Sequence, residues 1–240
     1  WNGIANGQNA ASIGGVNAAG VNAMALMGGN VDATATNGLA FGNSSVSQAV
    51  HAIALGDDVT AYSYAETVIG YENSTYTPAS TTVPVGTDRL FVVANNTTFN
   101  ALNILKNGRV GISRIPATNI LEIEGNASKT TAGDWLANSD ARLKKNIETL
   151  SEEKALQKLL ELRGVTYEWN DDKTGSKRPE GIQYGFIAQE IEQVFPENVE
   201  EDNLGYLQTA YGTYDALYVQ AIKALNSKVE ILETENEHLK

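Results

Sequence analysis

"GLAFGNSSVSQAVHAIALG", residues 38–56, contains two apolar steps that each close on glycine, Ala40-Phe41-Gly42 and Ala54-Leu55-Gly56. Followed in both directions, the step recurs every fourteen residues, with glycine at Gly14, Gly28, Gly42, Gly56 and Gly70. Before these glycines stand Ile13, Met27, Phe41, Leu55 and Ile69, and one step earlier Ser12, Leu26, Ala40, Ala54 and Val68. Five residues after four of them come the small residues Ala19, Ala33, Ser47 and Ala61. In a chain of 240 residues with 22 glycines, five in one phase mark a repeat. A period this short predicts a solenoid, each repeat one coil of two short strands and two tight turns. Glycine suits the turn position that needs positive φ or close backbone approach. The apolar residue before it is expected to face the interior, and the small residues to mark where coils or neighbouring chains come close. A Gly/Ala/Asn-rich linker would leave the phased apolar positions unexplained. With no second histidine nearby, His51 reads as a surface or stacking position in one coil and not as a metal ligand.

Charge divides the chain in two. The net charge is −12, and no Lys or Arg occurs through Gly70. Residues 1–138 carry five basic and nine acidic side chains, and residues 139–240 carry twelve and twenty. This imbalance argues against a nucleic-acid partner, which needs clustered cations to displace counterions. With no Cys, neither disulfides nor thiolate metal sites are available, and no cofactor or metal is expected. No apolar run approaches the ~18–20 residues of a membrane span, so no membrane insertion is expected. Opening at Trp1 without a signal-like segment, the chain reads as a portion of something longer. Three regions are expected: a β-roll over 1–75, a β connector or fibre segment over 76–138, and an α+β domain over 139–240 whose last helix spans 215–240.

In the connector, "YTPASTTVPVGTD" is loop-like, and "RLFVVANN", "ALNILKNGRVGIS" and "NILEIEGNAS" read as strands. Asn107-Gly108 predicts a hairpin with a type I′ turn, positive φ at both residues. In "TTAGDWLAN", which leads to residue 138, Trp135 is the only large anchor. Beyond it, Ser151 is an N-cap candidate with Glu152 and Glu153 in the first turn, where carboxylates suit the helix dipole. Leu156, Leu159, Leu160 and Arg163 share one helical face. "VTYEW" and "IQYGFI" read as strands flanking the polar loop 170–181, and "AQEIEQVF" reads as a helix stopped by Pro196. Ile222, Leu225, Val229, Leu232, Asn236 and Leu239 form an a/d seam, with Asn236 at an a position that can fix register.

At the junction lies "NSDARLKKNI", residues 138–147. A serine near a lysine can serve as nucleophile and base, provided the amine is neutral. For a lysine titrating at about 10.4 in free solution, that requires a fall of about three units, which burial can supply. Five residues along an α-helix advance ~500°, so Ser139 and Lys144 can meet only if the chain around Ser139 is turned or extended. By spacing alone, a capping serine beside a solvated lysine pair is the better reading of the stretch.

Two resemblances add to this. Residues 8–75 resemble the head repeats of trimeric autotransporter adhesins, which implies a left-handed parallel β-roll stable only as a trimer. "SDARLKKNI", "YEWN", "YGFIAQEIEQVFPENV" and "YVQAIKALNSKVEILE" resemble, in order, the S74 peptidase family, intramolecular chaperone domains at the ends of phage tail spikes and fibres. That resemblance implies a domain that drives trimerisation of the β fibre before it and then cuts itself off. It places the scissile bond at Asn138–Ser139, the nucleophile at Ser139 and the base at Lys144, with Asp140 and Arg142 as positioning residues and Lys145 exposed. The implied partners are two further copies of the chain and, through upstream fibre regions, a host-surface receptor. The implied location is a virion tail fibre or a bacterial surface. The alternative is a non-enzymatic trimeric surface adhesin with a C-terminal oligomerisation clamp. A membrane-released transcription factor would need a basic DNA-binding domain and a membrane span, and a glycan-degrading tailspike would need a carboxylate pair; the sequence contains neither set.

Overall fold

The computed structural model describes residues 3–14, 16–125, 127–130, 138–170, 179–202, 205–209 and 214–239; Trp135 and most of the loop 170–181 lie outside them. It divides into two units, Trp1–Ala127 and Ser128–Lys240.

In the first unit the repeat builds two short strands per coil. These are β1 (Ile4–Ala5), β2 (Ala11–Ile13), β3 (Asn17–Ala18), β4 (Met24–Leu26), β5 (Asn30–Val31), β6 (Leu39–Phe41), β7 (Val46–Ser47), β8 (Ile53–Asp57), β9 (Thr60–Ala61) and β10 (Thr67–Tyr71). The odd-numbered strands stack in parallel into a five-stranded sheet, and the even-numbered ones begin a nine-stranded sheet. Register corrects the regular clock. Ile13 pairs with Leu26, Leu26 with Phe41, Phe41 with Leu55, and Leu55 with Ile69. The coils are therefore 13, 15, 14 and 14 residues long, and Met27 falls outside the column.

The expectation that this column faces the interior is overturned. Ile13 is 53% exposed and Phe41 42%, Met27 beside the column is 66% exposed, and Leu55 and Ile69 are half-buried. The interior belongs to the neighbours one step earlier, Ala25, Ala40, Ala54 and Val68, which meet Ala18, Val31, Ser47 and Ala61 from the smaller sheet, all fully buried. The pleat sends successive side chains to opposite faces, and the space between the two sheets of a coil admits only small ones. Of the small residues singled out in sequence, Ser47 and Ala61 lie in this interior, whereas Ala19 is half-buried and Ala33 exposed.

Two turn columns fix the stack. Gly42, Gly56 and Gly70 have φ of +110°, +150° and +123°, and a Cβ on Gly56 would lie 1.9 Å from the Gly70 carbonyl oxygen. On the other turn, Asn9, Asn22, Asn37 and His51 have φ between 55° and 60°, a left-handed conformation that Asn tolerates well. Their side chains form a ladder: Asn9 donates to Asn22 (3.1 Å), Asn22 to Asn37 (2.9 Å), and Asn37 meets His51 Nδ1 (3.3 Å). The His51 ring meets Tyr64 edge-on at 5.4 Å, a stacking position.

The connector continues the larger sheet. β11 (Arg89–Ala94) pairs in parallel with β10, and β12 (Leu102–Leu105), β13 (Val110–Ile112) and β14 (Leu121–Ile123) follow. Residues 80 and 81 fold back along the coils, accepting from the Tyr64 and Val50 N–H groups. The Asp88 carboxylate pins this strap through the N–H groups of Ala79 and Ser80. The hairpin departs from type I′: Gly108 has φ +87° but Asn107 is not left-handed. Its N–H instead closes a turn on the Leu105 carbonyl, while Leu105 N–H reaches Arg109, the three-residue loop with glycine at the bulge.

Under β10 and β11 lies a buried polar seam. Glu66 takes the N–H groups of Tyr62 and Ser63 on one oxygen, and its other oxygen has no protein partner. Burial pushes its carboxyl up to about 7, against those bonds and the nearby Arg89 charge. Arg89 is fully buried, donating to the Ser74 carbonyl and hydroxyl with its guanidinium 4.1 Å from the Tyr76 ring centroid. Burial lowers Arg89 and Lys106 from their usual ranges.

In the second unit, Ser151 caps α1 (Glu152–Leu160) by accepting the Lys154 N–H. Leu156 is buried, but Leu160, expected on the same face, is 76% exposed. β15 (Val165–Tyr167) and β16 (Gln183–Gly185) pair antiparallel, α2 (Ala188–Val194) ends before Pro196, and β17 (Val199–Glu201) pairs with β18 (Leu207–Thr209). Ile191, Phe195 and Tyr214 form one small core. α3 (Asp215–His238) packs on α1 through Ala221 and Ala224 against Leu156. Its seam residues Ile222, Leu225, Val229 and Leu232 are half or more exposed. No described helix is long and apolar enough to cross a membrane.

Candidate active site

The stretch 138–147 is built around one short turn. Asp140, extended at φ −64° and ψ 135°, starts a 3-10 turn over Ala141–Leu143, and its carboxylate accepts the Arg142 N–H at 2.8 Å. Asp and Ser compete with the backbone for N–H groups and so favour such starts over helix interiors. Leu143 N–H bonds the Asp140 carbonyl, Lys144 N–H bonds that of Ala141, and Lys144 leaves the turn extended at φ −116° and ψ 150°. The turn folds five residues into a short span, and the Lys144 Nζ lies 2.7 Å from the Ser139 Oγ. The helix begins only after Ser151.

Asp140 and Arg142 brace the turn. Arg142 Nε donates to Asp140 Oδ1 at 3.0 Å and Nη2 to Oδ2 at 2.7 Å. These side-chain bonds, with the backbone N–H, hold the Asp140 carboxyl below the usual range and raise Arg142. Both are solvent-exposed, so screening leaves the ion pair little weight in stability. Asn138, Ser139, Lys144 and Lys145 are all exposed in the single chain.

A second Ser–Lys contact lies in the first unit. Lys106 Nζ stands 2.8 Å from Ser63 Oγ, but Ser63 is fully buried and its hydroxyl is committed to the Arg89 carbonyl at 2.7 Å. That hydroxyl meets no substrate. Ser139, by contrast, is exposed and adjoins the Asn138–Ser139 peptide bond. Sequence reading missed the Ser63, Glu66, Arg89 and Lys106 cluster; its signal is charged residues inside otherwise apolar strand patterns.

Residues 139–200 match the family model described as chaperone of endosialidase, Peptidase_S74. The match begins at the serine that Lys144 touches and ends before α3.

Proposed function

Proceeding from a chaperone-of-endosialidase segment over residues 139–200, we propose that this domain directs folding and three-fold assembly of the β-solenoid before it, then releases itself by cutting between Asn138 and Ser139. The observation that carries this reading is the 2.7 Å approach of Lys144 Nζ to Ser139 Oγ at the first residue of the family match. Neutral Lys144 takes the hydroxyl proton, and Ser139 Oγ attacks the carbonyl carbon of Asn138. The C–N bond breaks, the proton passes from Lys144 to the departing Ser139 nitrogen, and the Asn138 acyl group is left as an ester on Oγ. Water hydrolyses that ester, giving an Asn138 carboxylate and a free Ser139 amino terminus. Each chain turns over once, in cis, so no separate substrate site is needed.

Assembly supplies the trigger. In one chain the pair is exposed; a neighbouring copy that covers it removes water, and burial disfavours a charged amine. Cleavage thereby reports correct assembly, and loss of the helper leaves the fibre kinetically locked. The setting is a phage tail fibre or spike, or a bacterial surface fibre, with receptor binding by regions upstream.

A denaturing gel tests the chemistry. The native sequence yields fragments 1–138 and 139–240, while Ser139→Ala and Lys144→Ala each stay whole; splitting at residue 138 in Ser139→Ala overturns the assignment. Hydroxylamine, which intercepts esters, accelerates release. Expression of 1–138 alone gives aggregate or monomer, and normal trimers from it remove the chaperone role. A chain that trimerises with Ser139 and Lys144 intact yet never splits supports the adhesin with a terminal clamp, a reading that the exposed seam of α3 also fits.

A further inference from the structure

We infer that the Asn138 side chain is itself a reactant: its carboxamide nitrogen displaces Ser139 Oγ from the ester, closing a five-membered imide at the new end of the fibre. The inference rests on the Ser139–Lys144 chemistry proposed above and adds a step between the ester and water.

The need for this step follows from which fragment holds the nucleophile. Ser139 is the first residue of the part to be released, so forming the ester does not separate the two parts. Asn138 stays joined to residues 139–240 through Oγ. The same transfer frees the Ser139 amino group, which can attack the ester back to the amide through a five-membered ring. An amide is more stable than an ester, so the chain returns to its starting state unless the ester is broken first. Processing depends on what reaches the Asn138 carbonyl carbon before that amine does.

The surroundings give water little help. Asp140, the carboxylate next to the serine, has both oxygens bonded to Arg142, Oδ1 to its N–H and Nε and Oδ2 to Nη2. Those bonds hold its carboxyl below the usual range, which makes it a poor base. Asn138 carries its own nucleophile. Its Nδ2 is joined to the carbonyl carbon through Cγ, Cβ and Cα, so ring closure needs no tertiary contact. Asn138 is also exposed, which leaves the side chain room to turn onto its own carbonyl. Tethered groups reach effective molarities of about 10⁵–10⁸ M in good geometry, and that offsets the weak nucleophilicity of an amide nitrogen.

Lys144 carries the proton. It is neutral again after protonating the departing Ser139 nitrogen. Nδ2 gives it one proton and bonds to the Asn138 carbonyl carbon; the C–Oγ bond breaks, and Lys144 returns the proton to Oγ across the 2.7 Å contact. The parts separate as 139–240 with a free Ser139 amino terminus and 1–138 ending in an aminosuccinimide. That end is one water lighter than the free acid. Water later opens the imide at either carbonyl, giving Asn138 with its carboxylate or an isomer with an α-amide and a side-chain carboxylate.

Intact-mass spectrometry of the full-length protein during processing, with samples quenched in mild acid, tests the step. The imide is expected first and both isomers afterwards, identified against synthetic peptides. Asn138→Ala, which has no carboxamide, and Asn138→Gln, which must close a slower six-membered ring, are each expected to release 139–240 at least tenfold more slowly. Hydroxylamine, which breaks the ester directly, is expected to restore their release. If Asn138→Ala stays whole even then, the mass of the first product from the native sequence decides. A first product ending in the Asn138 carboxylate, or a native rate in Asn138→Ala, overturns the imide and leaves the Ser139–Lys144 reading standing. Splitting at residue 138 in Ser139→Ala, or a native sequence that stays whole with hydroxylamine present, overturns both.

Discussion

The Asn73 side chain holds Thr60 by both of its backbone groups, taking its N–H at 2.7 Å and donating to its carbonyl at 2.9 Å. Thr60 opens β9, the last strand of the smaller sheet, and the carboxamide occupies the edge that a further strand would otherwise use. Open edges template pairing with other chains, so this one amide both completes a ladder and closes it.

Asn73→Ala therefore costs about 1–3 kcal/mol, since it leaves two part-buried backbone groups unpaired. Denaturant unfolding of the first unit checks the stability change. Light scattering at raised concentration checks the second consequence, growth of higher aggregates.

Gly56→Ala is expected to be more damaging. The new methyl would sit 1.9 Å from the Gly70 carbonyl oxygen at a backbone with φ +150°. Neither the neighbouring coil nor the torsion can give way cheaply, and the expected loss is about 3 kcal/mol or more. Thermal melting should fall by about 10 °C or more; an unchanged midpoint would contradict the stacking.

Glu66 gives the first unit a pH dependence of definite sign. Its folded value of about 7 lies above the ordinary 4.5, so the folded state binds this proton more tightly than the unfolded chain. Its contribution favours folding at the low end of that window, falls as pH rises from about 4.5 through 7, and is lost above. The span is on the order of 2–3 kcal/mol. Melts at pH 5.5 and 8 compare the native sequence with Glu66→Gln, which keeps the acceptor for Tyr62 and Ser63 but does not titrate. The variant should lose the difference between the two pH values that the native chain shows.

Around the proposed scissile bond, the cap on the turn should matter more than the exposed ion pair. Asp140→Asn retains an oxygen for the Arg142 N–H and should process at near the native rate. Asp140→Ala removes the cap and should slow processing about tenfold, the order expected when reacting groups lose their fixed approach. A gel time course measures both, with light scattering to verify equal assembly. Equal rates in all three proteins would remove Asp140 from a positioning role.

Much of the fold was legible because its signals are local. Glycine phase, Ser151 before Glu152 and Glu153, and Pro196 after an apolar helix each act within a few residues of themselves. The candidate site was legible as a pattern only: Ser139 and Lys144 were conspicuous, but spacing alone favoured a capped, solvated pair. Their 2.7 Å approach depends on a 3-10 turn whose hydrogen bonds no count of residues contains. The apolar column was read with Met27 where Leu26 stands, and wrongly as interior.

By itself, the sequence determined that the chain coils with a period near fourteen, that its character changes near residue 138, and which side chains there the proposed chemistry would use. Periodicity and capping are properties of neighbouring residues. Only the tertiary structure decided which face of each strand points inward, where the 13- and 15-residue coils shift the register, and that Glu66 and Arg89 are buried under the β10–β11 seam. Those outcomes depend on what stands on the far side of the strand. The opposite sheet leaves room for alanine, so the large apolar side chains turn out.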